Sequence, residues 1–300
     1  MNRREFLGLA AAGVAMGGCA APSCCGADKG RILFGACRGI GDTKLMKDIG
    51  YDFFESGVSG MFVPDKDDEA WKKQKDAILG AALPLRSCNG FLPGKFRLTG
   101  PEASFEEPLA YAEKACRRAD EVGVKTIVFG SGGARNVPGD FCSKERPKLQ
   151  EGRDQFRDFC VQLAARIADC KVTVVIEPLC PNESNIINYV WQGLKVVEEV
   201  NSPRIQQLAD IYHMIMGLED AESILKAGAR LKHCHIAERK TRTAPGLKGD
   251  GSEFVQYFAA LKQIGYTGGV SCECGWGDKK DFATNLANAL ALMKKLAGQA

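Results

Sequence analysis

The chain has 300 residues, 45% of them hydrophobic and 26% charged, a balance that supports a full buried core and excludes a chain disordered by composition. Its 40 Lys and Arg against 37 Asp and Glu leave a formal charge of +3, with no basic run longer than a pair, which argues against nucleic acid as a partner. The length exceeds that of an average domain but is ordinary for a single α/β barrel.

The first residues read as an export signal. MNRREFLG at 1–8 resembles a twin-arginine signal through Arg3 and Arg4, and the apolar stretch at 9–16 is too short to span a bilayer. Gly17, Gly18 and Cys19 resemble a lipobox, which makes Cys19 the expected lipidation site and the first mature residue. The expected organisation is therefore a signal over 1–18, a tether over 19–29 and one catalytic barrel over 30–300. This predicts a periplasmic protein or a membrane-anchored lipoprotein of the bacterial envelope, touching the membrane only through Cys19. The 13 cysteines are odd in number and show no disulfide framework. Cys116, Cys160 and Cys170 read as small apolar helix-face residues, and Cys24 and Cys25 fall in the tether.

From residue 31 onward, short apolar runs alternate with longer amphipathic stretches. Strands are predicted at RILFGAC (31–37), YDFFES (51–56), ALPLRSC (82–88), KTIVFGS (125–131), KVTVVIE (171–177), IQQLAD (205–210), LKHCHIA (231–237) and GGVSCEC (268–274). Helical patterns lie between them, among them 106–123, 153–169, 252–265 and 281–298, with a weaker first helix near 43–49. Gly123, Gly265 and Gly298 stand where a helix C-cap belongs. Eight strand–helix units in succession predict an α/β fold of the closed TIM (β/α)8 type rather than an open sheet.

Such a barrel collects its chemistry at the C-terminal ends of its strands. The polar residues expected there are Glu55, Asn89, Glu177, Asp210, His235 and Glu273. Period-two alternation places Glu177 with Thr173 and Val175, Glu273 with Ser271, and His235 with Leu231 and His233, each on one strand face. The only three histidines fall between positions 213 and 235. Glu177, Asp210, His235 and Glu273 together offer three carboxylates and one imidazole, a set suited to one divalent ion: Mn²⁺ foremost, with Co²⁺, Mg²⁺ or Zn²⁺ as alternatives. A metal-free cluster of buried ion pairs would need cations, and no inward lysine or arginine is evident at these strand ends.

The segments VFGSGGARNVP (128–138), VVIEPLCPNESNIIN (174–188), LADIYHM (208–214), HCHIAE (233–238) and GYTGGVSCECGW (265–276) carry a resemblance. They resemble the sugar phosphate isomerase/epimerase family with a xylose isomerase-like barrel, nearest to the ketose 3-epimerases of the tagatose and psicose epimerase type. The resemblance covers roughly 30–298 and implies metal ligation by Glu177, Asp210, His235 and Glu273, with Glu177 and Glu273 as the catalytic pair on opposite faces of the substrate. A divalent ion chelated by a sugar carbonyl and the adjacent hydroxyl stabilises a cis-enediolate, while one carboxylate removes the proton next to the carbonyl and another returns one. Return to the same carbon from the other side epimerises; return to the adjacent carbon isomerises.

The same resemblance assigns substrate contacts to Glu183, His213 and Arg242, with Arg239 a competitor for the place of Arg242. Trp276 is a candidate to stack on a sugar ring, whereas Trp191 is expected to pack its helix. His233 is expected to lie one layer below the metal. Family members often carry Asn and Arg where this chain has Cys180 and Pro181, and the GSGGAR turn at 130–135 is expected to wall the pocket. The expected partner is a small sugar or keto-sugar, with a homo-oligomer in keeping with the family. Two other readings stand beside the epimerase: a lyase or dehydratase on keto-inositols or oxidised sugars using the same metal site, and a non-catalytic carbohydrate-binding barrel.

Overall fold

Eight parallel strands close into a barrel in sequence order, with the last strand pairing back to the first. The computed structural model describes residues 30–139 and 146–299, so the predicted signal, Cys19 and the tether lie outside the described residues. The strands are β1 (Leu33–Cys37), β2 (Phe53–Gly57), β3 (Leu85–Asn89), β4 (Thr126–Phe129), β5 (Thr173–Ile176), β6 (Ile205–Asp210), β7 (Leu231–Ile236) and β8 (Gly269–Cys272). Each falls within or beside its predicted run. Glu177 and Glu273 stand one residue past the ends of β5 and β8, where their N–H groups still donate across to Phe129 and Ile236.

Helices pack around the barrel: α1 (Thr43–Ile49), α2 (Asp68–Leu79), α3 (Glu106–Glu121), α4 (Arg146–Arg166), α5 (Val190–Val200), α6 (Glu222–Ala227), α7 (Val255–Gln263) and α8 (Phe282–Ala297). Gly298 ends α8 at φ +67, a left-handed conformation that costs glycine little. None of the described helices is long and apolar enough to cross a membrane.

Two apolar regions hold the fold. The larger lies between sheet and helices, where Phe129 meets Phe91, Phe156 and Phe159 at ring separations of 5.2, 4.9 and 5.9 Å. Each such fully buried ring contributes roughly 2–3 kcal/mol of burial. The smaller, inside the barrel, consists of Val128, Val175 and Leu208, inward residues of β4, β5 and β6, and forms the floor beneath the polar strand ends. The described cysteines are all free thiols. Cys116 and Cys160 are buried on α3 and α4, but Cys170 lies beyond the end of α4, in the turn before β5, and so is buried without being on a helix face.

Alternation is interrupted twice. Phe54 and Glu55 pair with Leu85 and Ser87, and Gln207 and Leu208 pair with Leu231 and His233, so Arg86 and Lys232 are extra residues bulged from β3 and β7. Both bulges fall toward the N-terminal ends of the strands. Above them, Glu55 and His235 keep their inward parity.

Candidate active site

Residues that alternate inward along β5 to β8 meet at the C-terminal mouth of the barrel. Glu177, Asp210, His235 and Glu273 each direct one ligand atom into a common space, and the four atoms lie within 4.8 Å of one another. Asp210 is buried and divides its oxygens between two tasks. Its Oδ1 accepts from the Tyr212 N–H at 2.8 Å, capping the short helix Ile211–Met216, while Oδ2 has no hydrogen-bond partner among the described residues. A buried carboxylate oxygen without a donor is costly. A divalent cation bound among these four donors would satisfy it, so the donor set fits the ion that the sequence pattern implies.

Glu177 Oε1 lies 2.9 Å from His235 Nδ1, and burial raises the Glu177 pKa against the lowering effect of that imidazole. Gly130 leaves room beside it, since a Cβ there would push the Glu177 carboxylate out of this position. Glu273 is held from two sides, accepting from Asn89 Nδ2 at 2.6 Å and from an Arg242 guanidinium nitrogen at 2.6 Å. His235 is completely buried. Burial alone would depress its pKa, but the carboxylates of Glu55 and Glu273 and hydrogen bonds to Glu177 and Glu55 raise it well above the ordinary imidazole value.

Glu55, like Asn89, is placed at a strand end by sequence reasoning without being given a role. Fully buried on β2, it faces His233 Nε2 at 2.8 Å through one oxygen and His235 Nε2 at 2.9 Å through the other. Burial would raise its pKa, yet the two imidazoles hold it well below the usual carboxylate range. Its signal in the sequence is the same as that of Glu177, an acid closing an apolar run. His233 lies beneath His235 with ring centroids 5.2 Å apart, and burial lowers its pKa.

Arg242 supplies the cation that was not evident at the strand ends. It comes from the loop after β7 rather than from a strand, which is why inward parity did not show it. Glu238 anchors that loop by accepting from the N–H groups of Gly246, Lys248 and Gly249 and from the Thr243 hydroxyl. The Arg242 guanidinium lies 2.9 Å from Glu183, 2.6 Å from Glu273 and 3.6 Å from Asp210, and sits over the Tyr212 ring at 4.6 Å. Burial would lower its pKa, but these carboxylates raise it. Arg239 faces a different hollow, beside Lys240 and Lys248.

His213 is buried behind Asp210. Its Nδ1 accepts from the Cys180 N–H at 3.2 Å, which assigns the proton to Nε2 and leaves an N–H donor 3.5 Å from Asp210 Oδ2 and 3.9 Å from Glu183. Since Cys180 contributes its backbone to this contact, the unusual residue pair Cys180–Pro181 does not disturb it.

These groups open onto a cavity of about 620 Å³, lined by Asn89, Glu177, Glu183, Arg242 and Glu273 and walled by Gly130, Ser131 and Gly132. The Gly-rich segment continues as one helical turn ending in Arg135, whose fully buried guanidinium donates to Phe129 O, Ile187 O and Ser184 Oγ. Burial lowers the Arg135 pKa to about 10. Trp276, expected against a sugar ring, does not line this cavity. It is buried edge-on against Phe282 at 5.9 Å, because the chain turns away from the mouth after Gly275 and packs the indole under α8. Trp191 is 52% exposed and stacks on Tyr189 at 6.2 Å instead of packing into the core.

Comparison with known proteins agrees with this fold. An L-ribulose 3-epimerase of Methylomonas sp. is 30% identical over 195 residues, covering 63% of this chain and 64% of that protein, so the chain spans just under two thirds of this curated relative. A crystal structure of a D-allulose 3-epimerase from Methylomonas sp. in complex with D-allulose superposes with a TM-score of 0.69 at 26% identity, covering 88% of this chain and 97% of that one. A D-psicose 3-epimerase of Clostridium cellulolyticum H10, solved with D-tagatose, has the same fold at a TM-score of 0.74 and 18% identity, covering 89% and 99% of the two chains. Residues 43–296 match the family model described as "Xylose isomerase-like TIM barrel". With its closed eight-stranded barrel and four clustered ligand atoms, the chain belongs to the xylose isomerase-like TIM barrel family.

Proposed function

We propose that the protein is a divalent-metal-dependent sugar isomerase of the ketose 3-epimerase type, with Glu177 and Glu273 as its acid–base pair. The observation that carries this reading is the convergence of four donors within 4.8 Å at the floor of a cavity into which both glutamates project. The 3-epimerase names of the relatives support a ketose as substrate.

Glu177, Asp210, His235 and Glu273 would hold the ion, Mn²⁺ foremost on the oxygen-rich donor set. Once bound, it would supply Lewis acidity toward the sugar carbonyl and its neighbouring hydroxyl, stabilising the cis-enediolate. The remaining steps belong to the side chains. Glu177, made more basic by burial, is suited to taking the proton next to the carbonyl. Glu273, oriented by Asn89 and Arg242, faces the same space and is placed to deliver a proton from the other side. His213 is buried and does not line the cavity, so its Nε2–H, 3.5 Å from Asp210 Oδ2 and 3.9 Å from Glu183, would act on the sugar through these carboxylates, and Glu183 with Arg242 forms a polar wall that selects hydroxyl-rich ligands. Arg3, Arg4 and Cys19 support export and lipidation, which would place this activity in the cell envelope.

The reading is tested by following deuterium incorporation by NMR over a panel of ketoses, aldoses and keto-glycosides with Mn²⁺ present. Exchange at a single carbon with formation of its epimer is the expected result. Loss of water from the substrate would replace the epimerase with a lyase, and binding without exchange would leave a carbohydrate-binding barrel.

A further inference from the structure

The opposite end of the barrel carries a charge pattern that the sugar chemistry does not use. Arg31, Lys125, Lys171, Arg204 and Arg230 stand just before β1, β4, β5, β6 and β7, and the bulged residues of β3 and β7 are Arg86 and Lys232. Backbone bonds from Lys125 N to Arg86 O and from Thr173 N to Lys125 O place these positions on adjacent rungs of one rim. A cavity of about 550 Å³ opens there, lined by Arg86, Lys125, Lys171 and Lys232 and by the threonines Thr126 and Thr173, with no carboxylate among its lining residues.

Acids beside this rim are already engaged, Asp169 with Arg117. Asp52 pairs with Arg31 and accepts from Phe34 N, and Asp120 accepts from the N–H groups of Lys171 and Val172. Arg204 spends its guanidinium on the carbonyls of Cys170 and Val172. Lys125, Lys171 and Lys232 are exposed, and their ammonium groups have no ion pair or hydrogen bond among the described residues. A protein of net charge +3 thus concentrates cations on the face opposite its carboxylate-rich mouth. Clustered like charges repel, and an apposed anionic surface removes that cost.

The chain also enters the barrel on this face. Gly30 leads directly into β1, and the entry strand is clipped by Gln299, which exchanges hydrogen bonds with the Ile32 backbone. Whatever precedes Gly30 therefore joins at the cationic rim. From Cys19 to Gly30 an extended chain reaches at most about 40 Å.

We propose that this N-terminal face docks on an anionic phospholipid surface through Lys125, Lys171 and Lys232, leaving the sugar-binding mouth turned toward solvent. The position of the membrane rests on the export reading; the lipid affinity itself does not, nor does it depend on the epimerase assignment. Basic residues near an anionic leaflet each strengthen binding severalfold.

All eight strands and both apolar regions lie within residues 30–299, so a chain beginning at Ala20 keeps the whole barrel and lacks both the signal and Cys19. That protein is expected to co-sediment with phosphatidylglycerol vesicles at low salt, to ignore phosphatidylcholine vesicles and to be released near ~0.3 M NaCl. Combining Lys125→Glu, Lys171→Glu and Lys232→Glu should weaken partitioning at least about tenfold while leaving Tm and bound metal unchanged. The matched control Lys72→Glu, Lys73→Glu and Lys279→Glu, exposed lysines off this face, should retain binding. Equal partitioning to neutral vesicles, or equal loss in the control, would overturn the proposal. So would saturable binding of inorganic phosphate in the cavity without vesicle association, which would make the face a site for a free anion.

Discussion

Glu55 Oε1 lies 2.9 Å from His235 Nε2 on the side of the ring away from the four-donor cluster, while Glu177 faces Nδ1 of the same ring at 2.9 Å. The imidazole is thus fixed between a strand-two carboxylate that is fully buried and a strand-five carboxylate that lines the cavity. A carboxylate behind a histidine ligand orients the ring and raises its basicity. Glu55→Gln keeps the volume but removes the charge from a buried pair of contacts. Metal affinity is expected to fall about 10- to 100-fold, read by calorimetric titration of Mn²⁺ into chelator-treated protein. Unchanged affinity would reduce Glu55 to a packing residue.

Glu273→Gln addresses the acid–base pair directly. The amide can still accept from Arg242 through its oxygen, so sugar binding should survive, while proton exchange next to the carbonyl should slow by at least about 10²-fold. Exchange at the native rate in D₂O would remove Glu273 from the pair. Glu177→Gln is expected to show the same split between binding and exchange.

Much of this arrangement was legible because β-strand parity is local. Thr173, Val175 and Glu177 alternate along one strand, and a barrel sends the inward set to one mouth, so the four strand-end residues could be grouped without coordinates. What escaped depends on distance across the barrel or on loops. Glu55 reaches His233 and His235 from 178 and 180 residues away. Arg242, named through the family resemblance alone, folds back from a loop held by Glu238 to pair with Glu273, and Trp276 turns under α8; neither belongs to a strand whose period fixes its direction. The bulges at Arg86 and Lys232 were equally hidden, since a bulge is defined by its partner strand and not by its own residues.

The pH dependence of the metal-free protein follows from two opposite shifts. His235 has its folded pKa raised, so its contribution to stability is complete below the ordinary imidazole value of about 6.5 and is lost as pH rises through the folded value. Glu177, raised by burial, acts in the same direction. Glu55 is lowered, so its contribution is present above the ordinary value of about 4.3 and is lost as pH falls. Tm after chelation should therefore peak between these limits and decline on both sides. Mn²⁺ should flatten the alkaline limb, because a ligating His235 has already given up its ring proton, and binding should release that proton to buffer. An alkaline limb that is the same with and without metal would contradict His235 as a ligand.

Arg242 gives the last and most discriminating prediction, because it competes electrostatically with the ion. Its guanidinium lies against Glu183 and Glu273 and 3.6 Å from Asp210 Oδ2, the buried oxygen without a hydrogen-bond donor. Removing a positive charge beside a cation site should tighten Mn²⁺ binding severalfold, even as Glu183 and Glu273 lose the group that positions them. Arg242→Ala is therefore expected to raise metal affinity about two- to tenfold while lowering kcat/KM at least about 10²-fold through loss of orientation. Arg242 has φ +48, a left-handed conformation that costs arginine and alanine about the same, so a variant that keeps this backbone isolates the guanidinium. Arg242→Lys restores the charge but not the planar fork that reaches two carboxylates at once. It should return metal affinity toward the native value and recover only part of kcat/KM. Weaker metal binding in Arg242→Ala would mean that Arg242 supports the donor geometry more than it repels the ion.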